Sequence, residues 1–256
     1  MPMFAMTKFR HALTLSATLL LAPWSFAQSY TVPANTPAHI ARGIAAADRT
    51  EEMTVRDAAR KPAETLMVAG LGEGAHIAEI TAMGLYYSTI LSAALGPQGQ
   101  LDMYDMPYME RFGAIAAGQA FAAAHPNSHY TNVHYNDIAF APNLDAVYNI
   151  LYYHDLKSQD VDPAALNAKI FAALKPGGVY FVVDHRAEDG SGWRDSGTIH
   201  RIGKEVILQE VTAAGFELAQ DSDLLANPAD DKSKMVFAPG TRGSTDQTVL
   251  VFRKPQ

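Results

Sequence analysis

The chain contains no cysteine. Disulfides and thiolate metal sites are therefore excluded, and cysteine usage says nothing about redox compartment. It also lacks any Lys/Arg-rich run, and its formal net charge is −7. Binding a phosphate backbone requires a basic face, so nucleic acid is not expected as a partner. No apolar run reaches the roughly 20 residues that a bilayer span needs. Internal repeats and low-complexity stretches are missing too, which argues against a solenoid or a disordered chain.

What is present fits one α/β domain: 256 residues, 48% hydrophobic and 18% charged. The first 27 residues read as a secretory signal. Lys8, Arg10 and His11 make a basic start, "ALTLSATLLLAPW" an apolar middle, and "SFA" a small-x-small cleavage pattern before Gln28. This predicts a periplasmic or secreted protein with no stable membrane anchor after cleavage. The mature part loses Lys8 and Arg10 from the 20 basic residues and keeps all 27 acidic ones, so its net charge becomes −9. Residues 28–55 read as an extended leader and a helix, and residues 56–256 as the main domain.

From Arg56 onward, helical and strand-like segments alternate. "DAARKPAETLMVAGL" and "ERFGAIAAGQAFAAAH" each predict one helix, as do "YYSTILSAAL", "DPAALNAKIFAAL" and "KEVILQEVTAAGF". "AHIAEI", "QLDMYD", "YTNVHY", "LDAVYNILYY" and "VYFVVD" predict five successive strands. "ELAQDSDLL" and "DQTVLVFRK" then predict a closing antiparallel pair. The whole is a doubly wound α/β fold: a mostly parallel seven-stranded sheet with helices on both faces. In such sheets ligands sit beyond the carboxyl ends of the strands.

Those ends carry hydrogen-bonding groups. Strand one delivers Glu79, strand two Asp105, strand four His154 and Asp155, and strand five Asp184 and His185, while Asn136 and Asp137 follow strand three. A carboxylate just past the first turn can accept both hydroxyls of a ribose. From Arg56 to Pro255 the chain resembles the class I S-adenosylmethionine-dependent methyltransferases, and more narrowly a group of predicted exported bacterial ones. The resemblance is carried by "RDAARKPAETL", "YDMP", "LYYHDL", "LKPGGVYFVVDH", "GSGWRDSGTIHRI", "NPADD" and "RGSTDQTVLVFRKP". It implies S-adenosylmethionine as cofactor. The methionine part would lie at Glu79 and Gly84, the ribose at Asp105 and the adenine near Asp137. Where that family has glycines at alternate positions, this chain has Thr81, Met83 and Leu85, and only Gly84 lies between them.

His154, His185 and His200, with Asp155, Asp184 and Arg201 beside them, form the second constellation. One imidazole can act as a general base towards a small-molecule nucleophile. Aspartates beside it can set its tautomer, or the trio can hold a metal, although it lacks helical metal-ligand spacing. In the methyltransferase reading, Asp155 and Asp184 orient the base, and His200 and Arg201 complete the substrate side. Two rivals stay open: a non-catalytic binding protein, and a different reaction, with or without a metal. The loop "DGSGWRDSG" is either a lid that lays Trp193 over the substrate or an exposed loop with Trp193 packed down.

Overall fold

The structure is a computed structural model that describes residues 29–256. The predicted signal segment, 1–27, lies outside the described residues. The strands are β1 (His76–Ile80), β2 (Gln100–Asp105), β3 (Ser128–Asn132), β4 (Leu144–Ile150), β5 (Leu174–His185), β6 (Glu217–Ser222) and β7 (Gln247–Arg253). They form one sheet in the order β3-β2-β1-β4-β5-β7-β6. β1 to β5 are parallel, and β7 runs antiparallel between β5 and β6. This is the predicted topology.

The apolar runs explain why the centre of the sheet is covered twice. In β5, Tyr180 and Val182 point into one core, and Phe181 and Val183 into the other. Helices α7 (Pro163–Ala173) and α9 (Lys204–Ala213) cover the first face with Leu166, Ile170, Ile207 and Val211. Helix α7 starts where the sequence says it should. Asp162 caps it, accepting from Ala164 N and Ala165 N, with Pro163 in the first turn.

On the other face lie α1 (Ala38–Ile44), α4 (Pro62–Ala69) and α5 (Tyr86–Leu95), contributing Ile40, Leu66, Ile90 and Leu91. The N-terminal helix thus belongs to the same core. Burying Ile40 and Ile44 stabilises that docking by about 1.5–3 kcal/mol each. The helices cross closely at Gly43, where an added Cβ would sit 2.5 Å from the Ile90 carbonyl oxygen. The short helices α2 (Glu51–Thr54) and α3 (Asp57–Arg60) follow and bring Arg56 and Arg60 to the carboxyl edge of the sheet. No helix among the described residues is long and apolar enough to cross a membrane.

Several predicted boundaries move. The helix read across 57–71 breaks at Lys61, which is left-handed with φ 42°, because Pro62 disfavours helical geometry in the residue before it. The helix read across 110–125 is two pieces. A 3-10 segment, Pro107–Phe112, stops at left-handed Gly113, and α6 (Ala114–Ala124) starts after it. β3 begins two residues earlier than predicted and ends at Asn132, and Tyr135 belongs to the following turn and the core. β4 stops at Ile150, and Leu151 turns left-handed at φ 61° to start the segment that carries His154. β5 extends back through "KPGG", with a register shift against β4. The remaining short helix, α8 (Ser196–Ile199), follows the "GSGW" loop.

Candidate functional site

A cavity of about 300 Å³ lies at the carboxyl ends of β1, β4 and β5. Glu79, Gly84, Tyr86, Tyr108, His154 and His185 are among the side chains around it. A second cavity of about 410 Å³ adjoins it and shares His185, Leu151 and Phe237. Glu79 is buried, and Ser88 of α5 donates to its carboxylate at 2.6 Å. Burial, with a smaller push from Asp105, raises its pKa to about 8, so it is largely protonated at neutral pH.

The turn that holds a single glycine keeps a glycine-like backbone at other positions too. Thr81 (φ 69°) and Leu85 (φ 54°) are left-handed, as is Gly84 (φ 79°). For a non-glycine residue this costs about 1–2 kcal/mol each, so local contacts must hold the turn. Thr81 N donates to Tyr104 O at 2.9 Å, and the Thr81 hydroxyl meets the Tyr135 hydroxyl at 3.0 Å. Met83 N reaches across to the Asp105 carboxylate at 3.1 Å.

Asp105 is buried and receives a second bond from the Tyr130 hydroxyl at 3.0 Å. Burial outweighs these bonds and raises its pKa to about 6. Glu79 and Gly84 face the cavity, at the positions that the resemblance gives to the methionine part of the cofactor. Asp105, to which the resemblance gives the ribose, lies outside the cavity lining, and its carboxylate is taken by Met83 N and the Tyr130 hydroxyl, so a ribose reaches it only by displacing them.

The histidines are organised by Asp184. This fully buried carboxylate accepts from His154 N at 2.7 Å and His185 N at 2.7 Å, and bonds His154 Nδ1 at 2.6 Å. One aspartate thus orients the ring of His154 and fixes the backbone of both histidines. Burial pulls the His154 pKa down, but the charge and hydrogen bond of Asp184, with Asp155, leave it raised. His185 is driven well below its ordinary value by burial, then by the charges of His154 and Arg201. Its Nδ1 meets the Thr245 hydroxyl at 2.8 Å. The titrations of the two imidazoles, 5.9 Å apart between centroids, are thereby pushed in opposite directions.

His200 is half-buried and joins through Asp155, with Nδ1 at 3.1 Å from its carboxylate. His154, Asp155 and His200 can offer three ligand atoms within 4.8 Å of one another, close enough to share one cation.

Other assignments change. Arg201 does not face the cavity. It is fully buried and paired with Asp230 at 2.7 and 3.1 Å, and its remaining donors bond Lys234 O and Arg186 O. Its task is to tie the "NPADD" loop to the end of β5. Asp137 sits exposed on the turn after β3, outside the cavity lining, because Asn136 beside it makes the bonds to residues 160 and 162. Trp193 is packed down on Tyr153, with ring centroids 6.0 Å apart, and its indole N–H donates to Glu210 at 3.0 Å. The side chains that sequence reasoning missed are Arg56, Arg60 and Arg242, which line both cavities. The available signal was "RDAAR", two arginines one helical turn apart.

No protein-family model matches the chain, and no curated protein sequence does. Solved structures match over most of its length. A SAM-dependent methyltransferase from Aquifex aeolicus superposes with a TM-score of 0.54 and 14% identity, covering 74% of this chain and 87% of that one. The N-methyltransferase NodS from Bradyrhizobium japonicum WM9 gives 0.53 and 18%, covering 78% and 96%. The [4+2]-cyclase SpnF gives 0.56 and 12%, covering 81% and 84%. The fold is that of the SAM-dependent methyltransferases. At these identities the likeness speaks for the fold alone, and the cyclase shows that the fold also carries other chemistry.

Proposed function

We propose that this chain is an exported S-adenosylmethionine-dependent methyltransferase acting on a small-molecule nucleophile in the cell envelope. The observation that carries the reading is the convergence of Glu79, Gly84, His154 and His185 on one cavity at the carboxyl ends of β1, β4 and β5. When bound, the cofactor supplies an electrophilic methyl group. This chain's residues do the rest.

Glu79, protonated and held by Ser88, offers a neutral hydrogen-bonding wall beside the left-handed turn. His185, kept neutral by burial, has an unprotonated nitrogen to take the proton of the attacking group. Thr245 at Nδ1 holds its ring in place. His154, biased towards its charged form by Asp184, places positive charge beside the nucleophile and favours its deprotonated state. Positioning and proton removal are all the reaction asks of the protein.

Titration calorimetry of the mature chain with S-adenosylhomocysteine tests this reading. Saturable binding is expected. Absence of binding at millimolar cofactor removes the methyltransferase function and leaves the fold.

A further inference from the structure

Three guanidinium groups line the cavity mouth with no ion-pair partner, although Glu79 and Asp155 line the smaller cavity with them. Arg56, Arg60 and Arg242 line both cavities, and among the described residues their side chains form no ion pair and no hydrogen bond. The nearest acid in sequence is already engaged. Arg49 grips Asp57 with both terminal nitrogens, and the Tyr86 hydroxyl donates to it at 2.6 Å.

Arg56 and Arg60 are four residues apart and lie on one side of the chain's helical turn. Their guanidiniums stand 5.1 and 4.4 Å from the centroid of the Tyr86 ring. That cation–π contact draws both guanidiniums to the Tyr86 ring, while no protein acceptor takes their N–H groups. Burial, then repulsion from Arg60, lowers the Arg56 pKa to about 10, with Arg242 adding to the repulsion. A bound anion relieves that repulsion.

Most of the remaining wall of the larger cavity is apolar, from Val55, Ala58, Ala59, Leu151, Val236 and Phe237, with His185 and Gln247 as its polar members. A ligand matched to this space has a charged head and an apolar body. One bidentate arginine satisfies a carboxylate, whereas three guanidiniums suit a dianion with three acceptor oxygens.

We propose that Arg56, Arg60 and Arg242 bind the phosphate-type dianionic head of an organic substrate whose apolar body fills the cavity of about 410 Å³ beside His185. The assignment of this ligand as substrate rests on the methyltransferase reading. The anion site itself does not, and the competing source of negative charge is the carboxylate of the cofactor.

The test titrates phenyl phosphate, inorganic phosphate and benzyl alcohol into the mature full-length chain at low salt, by calorimetry, in parallel with S-adenosylhomocysteine. Phenyl phosphate is expected to bind more tightly than inorganic phosphate, and benzyl alcohol not at all. Arg60→Gln and Arg242→Gln should each weaken phenyl phosphate roughly ten- to a hundredfold and leave S-adenosylhomocysteine unchanged. Arg242 is exposed, so that variant keeps the fold, and an unchanged melting temperature verifies it.

Equal phenyl phosphate affinity in wild type and variants overturns the proposal, as does benzyl alcohol binding as well as phenyl phosphate. Arginine variants that weaken S-adenosylhomocysteine instead assign the guanidiniums to the cofactor and overturn it too. Arginine-dependent phenyl phosphate binding with no binding of S-adenosylhomocysteine upholds the anion site and sinks the methyltransferase reading.

Discussion

Glu79→Gln should raise the melting temperature at pH 8 and leave it nearly unchanged at pH 4. The native carboxyl titrates at about 8, against 4.5 for its unperturbed value, because burial at the end of β1 penalises the charged form. A folded-state pKa raised in this way gives stability that is complete below the unfolded value and is lost as pH rises. Across that window the unfolded chain ionises while the native chain holds its proton, so stability falls steadily from pH 4.5 to 8. The accumulated loss is on the order of 3–5 kcal/mol, and a neutral glutamine escapes it.

Asp105, raised to about 6 by burial, stays in the variant and leaves a smaller slope below pH 6. Melting curves of both proteins from pH 4 to 8.5 check the expectation. Parallel curves would mean that Glu79 is ionised in the native protein, and the neutral wall assigned to it in the cavity would go.

The second large effect belongs to the Arg201–Asp230 pair. Arg201→Ala leaves the Asp230 carboxylate without its bidentate partner and releases the loop that Arg201 holds through Lys234 O. Removing one member of a buried pair costs about 3–5 kcal/mol, since the other charge remains in place. Urea unfolding should show that loss, and Arg201→Met with Asp230→Leu should recover only part of it, because the apolar pair removes the buried charge but strands Asp246 N and Lys232 N, which donate to Asp230. Affinity for S-adenosylhomocysteine, measured well below the melting temperature, should not change in the double variant. A large drop there would return Arg201 to the substrate side, where the sequence had suggested it.

That pair marks the limit of what the sequence discloses. "HRI" and "NPADD" stand out separately, but their partnership spans 29 residues and appears only when the chain is folded. The strands were readable because "HIAEI" and "VYFVVD" are apolar on both faces, which only a covered central strand requires. The helix breaks at Lys61 and Gly113 were not read, since alanine-rich spacing continues across both.

Within the site, Glu79, His154 and His185 were readable as polar ends of apolar strands. Asp184 was placed beside a histidine, but its three simultaneous bonds required coordinates. Arg56, Arg60 and Arg242 escaped notice because they come from a four-residue helix and a loop, where no strand pattern points to an edge. The turn at 81–85 is the instructive case. Its glycines are replaced, yet Thr81 and Leu85 still adopt the left-handed geometry, so composition alone misstates the backbone.

A crystal of the mature protein soaked with S-adenosylhomocysteine tests the central claim most directly. The account predicts its methionine part between Glu79 and Gly84, its sulfur facing His154 and His185, and Tyr130 turned away from Asp105. An empty cavity at saturating ligand, or a molecule bound elsewhere on the surface, would contradict it.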